Sequence, residues 1–233
     1  MSIEFVQASV GKSGYCVPRT AVVTVYQSNI PTDVLWHQAE VINRFLPDGC
    51  EFAPRLVRRH AIGLDEYFLT RRHEAYLVLD VDCIPLAKWV IPWILQNALA
   101  GVLIGGAQRA NHLENGEHIY VGPGVMAFSR DTFEKCGGLS FEGTSRGDVG
   151  EEFTYAAEGL EIPISFLWPT HVVANKWALR GTQSFGIGTT YAGAFFHAFQ
   201  ISSGLTIPIF LEKCQKLLKH DPELSVSIDA SNA

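Results

Sequence analysis

Short apolar runs alternate with stretches of helical periodicity across residues 21–79, and no other feature restricts the fold of this chain as strongly. Ala21–Tyr26, "AVVTVY", is valine-rich and of strand length, which predicts a buried strand. Thr32-Asp33 can start a helix whose Leu35, Ala39, Ile42 and Leu46 share a face, and Pro47-Asp48-Gly49 ends it. Residues 51–58 predict a second strand weakened by Pro54, residues 60–70 a second helix, and Tyr76–Leu79 a third strand. Strands separated by helices in this way pair in parallel, with the helices covering both faces of the sheet. The expected fold is therefore α/β: a single Rossmann-like domain over residues 1–220, with a mixed, mostly parallel central sheet flanked by helices, and a polar tail at 221–233.

Farther along, Pro85 is expected to open a helix running to residue 99, kinked at Pro92. Val102–Gly106 reads as a strand, "NHLENGEH" (111–118) as a polar turn, and Ile119–Ser129 as a strand interrupted by Gly122-Pro123-Gly124. Arg130–Lys135 reads as a short helix closed by Gly137-Gly138, residues 149–158 as a helix, and 163–168 as a strand. The glycine-rich "GTQSFGIGTTYAGAFF" (181–196) is expected to be a flexible connection, with a lid over the site as the alternative. Its glycines make no phosphate-binding loop, because no Gly-Lys-Ser/Thr follows them. Ile209–Lys219 is an amphipathic helix.

Charge and cysteines narrow the function classes. A net charge of −6 provides no broad basic footprint for nucleic acid. Five scattered cysteines without a CxxC indicate neither a zinc site nor a disulfide framework, and suit a reducing, cytoplasmic location. The N-terminal "MSIEFVQASVGKSG" has no long apolar core of a signal peptide. The apolar stretch Trp89–Ala107 is broken by Pro92, Gln96, Asn97 and glycines, so no transmembrane segment is expected.

The chemistry is concentrated in "EAYLVLDVDCIPL" (74–86), where an apolar strand runs into Asp80 and Asp82. Two carboxylates this close repel each other unless a cation or good solvation holds them ionised. Alternate strand residues point to one side, so both acids can converge on one divalent ion, and hard cations take carboxylate oxygens. In open α/β sheets ligands bind beyond the carboxyl ends of the strands, which is where these acids fall. A solvated strand end or a helix cap is the plain alternative.

Two further segments extend the pattern: after "YLVLDVDCIPL" come "YVGPGVMAFSRDTFEKCGGL" (120–139) and then "RGDVGEEFTYAAEGLEI" (146–162). In this order and spacing, over roughly residues 20–200, the chain resembles nucleotide-sugar-dependent glycosyltransferases of the GT-A fold, of the compact microbial or phage type. The resemblance implies a nucleotide-binding part at about 19–106 and a sugar and acceptor part at about 107–200. It implies a divalent metal, Mn²⁺ or Mg²⁺, held by Asp80, Asp82 and a C-terminal histidine, His197 in "AGAFFHAFQ". His171 in "WPTHVV" competes for that role, and a core histidine is the plain reading of either. Asp82 is the better direct ligand, while Asp80 is also suited to a ribose or metal-bound water contact.

The implied donor is a nucleoside diphosphate sugar, a UDP-sugar, and the acceptor a hydroxyl of a glycan or small molecule. Tyr26, Gln27 and Ser28 after the first strand are candidates for base and ribose, or else form a polar loop. Arg58, Arg59 and Arg72 are phosphate candidates, against simple solvation. Gly122 and Gly124 are candidates for lining the donor sugar, against a β-bulge. The family's Glu-Asp pair is absent as such; Asp148, Glu151 and Glu152 stand in its place as candidate catalytic acids. Asp148-x-x-Glu151 also fits a capping box, with Asp148 as N-cap. Two rivals carry the same acids. One is a metal-dependent phosphohydrolase or nucleotidyltransferase, for which the Asp-x-Asp-x-Thr/Val pattern and a basic glycine-rich loop are missing. The other is a nucleotide-sugar-binding module without transfer.

Overall fold

A computed structural model describes residues 19–110, 118–142 and 150–219. The elements run β1 (Thr20–Tyr26), α1 (Thr32–Phe45), β2 (Cys50–Leu56), α2 (His60–Thr70), β3 (Ala75–Leu79), β4 (Cys83–Pro85), α3 (Val90–Leu99), β5 (Leu103–Arg109) and β6 (Ile119–Ser129). They continue with α4 (Arg130–Lys135), α5 (Glu151–Gly159), β7 (Ile164–Leu167), β8 (Pro169–His171), β9 (Ala174–Ala178), β10 (Ser184–Ile187), β11 (Thr189–Tyr191), β12 (Phe195–His197) and α6 (Ile207–Lys219).

The main sheet has six strands in the order β2-β1-β3-β6-β5-β7. The pairs β1–β2, β1–β3 and β5–β7 are parallel, while β6 runs antiparallel to both its neighbours. The architecture is thus α/β with a mixed, mostly parallel sheet. Alternation along the strands decides what each face buries. Val22, Leu77 and Leu79 pack with residues of α1, α3 and α6 on one face. Ala21, Val23, Val25, Tyr76 and Val78 pack with residues of α2, α4 and α5 on the other. On α6 the buried pair Phe210 and Cys214 packs into the first of these cores, and Arg44 of α1 donates to the Leu218 carbonyl at 2.6 Å in the last turn of the helix. Among the described residues no helix is long and apolar enough to cross a membrane.

Four local expectations change. The buried face of α1 is Val34, Gln38, Val41, Ile42 and Phe45, rotated by about one residue from the face expected, because the sheet lies under that side. Pro85 ends a short strand instead of opening a helix, since residues 83–85 pair with β12. Pro92 then falls at the third position of α3, where a backbone N–H has no intrahelical partner to lose, so no kink arises. Helix α5 begins at Glu151 with Gly150 as N-cap, at φ 86°, a left-handed backbone that suits glycine; Asp148, the N-cap of the expected capping box, lies outside the described residues.

The fourth change is the largest. Residues 184–197 contain three strands, β10 to β12, and not a flexible connection. β10 pairs with β9, and the order β4-β12-β11-β8 makes a second, four-stranded sheet. Gly188, at φ 66°, supplies the turn between β10 and β11, so a glycine that suggests mobility in the sequence instead marks a tight corner. The Gly122-Pro123-Gly124 segment does interrupt the pairing. Ala107 sits opposite Val121 and Gly105 opposite Met126, so several residues of β6 bulge out of the β5 ladder just beyond the point, Leu79 opposite Val125, where the pairing with β3 ends.

Candidate metal centre

Strand β3 ends at Leu79, and the chain turns at once. The Asp80 N–H donates to the Gly124 carbonyl at 3.2 Å, and the Cys83 N–H returns to the Asp80 carbonyl at 2.9 Å. Gln38, buried on the sheet side of α1, donates through Nε2 to the carbonyls of Asp80 (2.7 Å) and Cys83 (3.0 Å) and so clamps both ends of this turn. Strand β12 then pairs with β4, setting His197 opposite Cys83. The Ala198 N–H donates to the Asp82 carbonyl at 2.9 Å, which locks the end of β12 beside the second acid.

The result is a cluster of Asp80, Asp82 and His197, with one potential ligand atom from each lying within 4.8 Å of the others. His197 Nε2 is 3.1 Å from Asp82 Oδ1 and 3.6 Å from Asp80 Oδ2. The side chain of Asp80 is 28% exposed, whereas those of Asp82 and His197 are at 6% and 2%. The cluster thus opens to solvent through Asp80. The Ile201 N–H donates to Asp82 Oδ2 at 3.3 Å, fixing the deeper carboxylate. His60, at the start of α2, places Nε2 2.9 Å from Asp80 Oδ1.

Electrostatics agree with this arrangement. Burial opposes the charge on His197, but the carboxylates of Asp82 and Asp80 outweigh it and raise its pKa above the ordinary histidine value. Burial likewise opposes charge on His60, and Asp80 and Asp82 outweigh it there too. Burial would raise the pKa of Asp80, yet the His60 hydrogen bond and the charges of His60 and His197 hold it below the usual carboxylate range.

The donor set fits a divalent ion. Ligand bonds to such ions are roughly 2.1 Å, so two atoms on one ion lie no more than about 4.2 Å apart. The separations of 3.1 and 3.6 Å are within that reach. Two carboxylates and one imidazole are ligand types that divalent cations take. His197 Nδ1 is buried with no hydrogen-bond partner among the described residues, so packing orients the ring. Phe199 stacks on it, with ring centroids 3.6 Å apart.

Gly124 supplies the other wall. A Cβ there would stand 2.4 Å from His197 Cε1, 2.7 Å from Nδ1 and 3.3 Å from Asp80 Oδ2. Gly124→Ala is expected to push the imidazole out of line with Asp82, lowering Tm by about 2–10 °C through overpacking of roughly 1–3 kcal/mol. The Mn²⁺-induced rise in Tm should shrink with it. Melting curves with and without Mn²⁺ check this, and a Gly124→Ala protein with the full wild-type Mn²⁺ response would contradict it.

The other sequence candidates scatter. His171 is exposed at the end of β8 and is no member of the cluster. Tyr26 ends β1, half-buried, with Gln27 and Ser28 exposed beyond it, on the same sheet edge as Asp80; Gln27 donates to the Arg58 carbonyl at 2.8 Å. Arg58 and Arg59 are exposed between β2 and α2, on that edge too, and Arg59 pairs with Glu142 at 2.8 Å. Arg72 precedes β3, so it lies at the opposite edge, about 16 Å of strand away from the acids, which removes it from the site. Gly122 makes room for the Gln108 amide, whose atoms a Cβ would approach to 2.2 Å. Glu151 is fully buried, with Oε1 3.2 Å from His118 Nδ1, and Glu152 is half-buried. Asp148 lies outside the described residues.

Two residues of the centre went unread in the sequence. Gln38 had a signal: a polar residue one helical turn before Ile42 on an otherwise apolar face. His60 had none, being a lone histidine after two arginines.

No protein-family profile and no curated protein sequence matches the chain. Solved structures do. The mannosyltransferase PcManGT of Pyrobaculum calidifontis, in complex with GDP-Man and Mn²⁺, aligns over 66% of this chain and 58% of its own, at 15% identity and TM-score 0.46. The bifunctional IspDF of Campylobacter jejuni aligns over 64% of this chain and 49% of its own, at 11% identity and TM-score 0.41. A candidate glucose-1-phosphate thymidylyltransferase of Bacillus anthracis, in complex with sucrose, aligns over 83% and 96%, at 9% identity and TM-score 0.45. This chain spans 58% and 49% of the first two proteins. At such identities and scores the alignments assign no residue a role.

Proposed function

We propose that this chain is a metal-dependent glycosyltransferase that moves a sugar from a nucleoside diphosphate sugar, a UDP-sugar, to an acceptor hydroxyl on a glycan or small molecule. The observation that carries the reading is the convergence of Asp80, Asp82 and His197 just beyond the carboxyl end of β3 in an α/β sheet. This is the edge where such sheets bind their ligands. A divalent ion bound there, Mn²⁺ or Mg²⁺, would offset the negative charge that grows on a departing nucleoside diphosphate.

In this reading Asp82 and His197, both buried, and the more exposed Asp80 would hold the ion. Tyr26, Gln27 and Ser28 receive the base and ribose, and Arg58 meets the diphosphate. The bulged segment Gly122-Pro123-Gly124 passes beside the donor sugar. Asp148 accepts the proton of the acceptor hydroxyl, with Glu152 next in order. Glu151, buried against His118, supports the start of α5.

A thermal-shift panel of nucleoside diphosphate sugars, each with Mn²⁺ and with EDTA, tests the proposal. A donor at about 100 times its Kd stabilises the folded state by roughly 2.7 kcal/mol. For a chain of this size that is a rise of about 5–10 °C. The expected result is a rise for UDP-sugars that needs Mn²⁺. A panel in which no nucleoside diphosphate sugar moves Tm more with Mn²⁺ than with EDTA would end the proposal. Product analysis of the best donor then separates transfer from phosphate hydrolysis and from binding without turnover.

A further inference from the structure

We infer that His60 is a positioning residue of the metal centre: its Nε2–H donates to Asp80 Oδ1 and so keeps Oδ2 turned toward His197. The inference rests on the metal reading given above. A carboxylate offers only acceptors, so the 2.9 Å contact requires the proton on His60 Nε2. With Oδ1 thus engaged, Oδ2 is the oxygen left facing the cluster, 3.6 Å from His197 Nε2.

The two acids differ in how they are held. Asp82 is buried and receives the Ile201 N–H on Oδ2. Asp80 is more open, and among the described residues the side chain of His60 is the donor within hydrogen-bond distance of its carboxylate, His197 standing farther off at 3.6 Å. A partly solvated aspartate without such an anchor rotates freely about its side-chain torsions. His60 reaches it because α2 begins at the carboxyl edge of the sheet, the edge at which β3 also ends. The cluster that could hold the ion is Asp80, Asp82 and His197, and His60 meets it through Asp80 Oδ1, as an outer-layer partner does.

Mn²⁺ binding, measured by calorimetry on the metal alone, separates the roles. Loss of an outer-layer partner typically weakens metal affinity about 10–100-fold. His60→Ala is expected to show that loss. His60→Gln, whose amide N–H can still donate to Oδ1, is expected to stay within about threefold of wild type on the same scale. Equal Mn²⁺ affinity in His60→Ala and wild type overturns the inference. So does a His60→Gln protein as weak as His60→Ala, which would make the imidazole itself a ligand. Both variants are melted first, and a His60→Ala protein that is unfolded at the assay temperature overturns it too, by making the residue structural. A wild-type protein that binds no Mn²⁺ removes the metal reading itself, a result distinct from any failure of the variants.

Discussion

Asp82→Asn is expected to abolish the metal-dependent part of UDP binding and to leave the fold largely intact. Asparagine matches aspartate in shape, and its carbonyl oxygen can still accept the Ile201 N–H. The change removes the charge that faces His197 Nε2 at 3.1 Å and, with it, one of three candidate ligands. Loss of an outer partner alone costs a metal site about 10–100-fold, so loss of a direct ligand should exceed a hundredfold. The measurement is UDP calorimetry on wild type and variant, each in Mn²⁺ and in EDTA. Wild type should bind appreciably only with the ion, and the variant should behave in Mn²⁺ as wild type does in EDTA. Equal UDP affinity for both proteins in EDTA and Mn²⁺ would defeat the metal hypothesis.

The second large effect is expected from Asp148→Asn: sugar transfer slowed at least about a hundredfold, with unchanged Tm and unchanged UDP binding. Proton transfer by a positioned carboxylate typically contributes on the order of 10²–10⁴-fold. The motivation is the place of Asp148 in the acidic segment that leads into α5. Asparagine caps a helix about as well as aspartate, so the change spares any capping role of the side chain. Melting curve and turnover are taken on one preparation, with donor hydrolysis as the assay where no acceptor is known. Wild-type turnover would redirect the search to Glu152 ahead of Glu151, since Glu151 is fully buried against His118. It would also fit a retaining mechanism, which needs no enzyme base at this position.

The strand and helix alternation of residues 20–79 was legible because it is written in local periods. β1, α1, β2, α2 and β3 all fall where the apolar runs and turn residues put them, within about two residues at each end. The two acids were legible for the same reason: a strand that ends in carboxylates announces an edge of the sheet. The helix face of α1 was read one residue off, because which flank meets the sheet depends on the sheet's position and not on the helix alone.

What the sequence by itself determined is therefore an α/β chain that delivers Asp80 and Asp82 to the ligand edge, since strand ends and side-chain alternation follow from residues a few places apart. What only the tertiary structure decided is the company those acids keep. That His197 and not His171 stands beside them follows from β12 pairing with β4, and the glycine-rich run before it is strand because β9, β4 and β8 lie ready to pair with it. His60 and Gln38 arrive from two helices on opposite faces of the sheet, and Gly124 is glycine because His197 needs the space. Each of these contacts joins residues dozens of positions apart. Backbone pairing and close packing select such partners only once the sheet exists, so no local pattern of residues can record them.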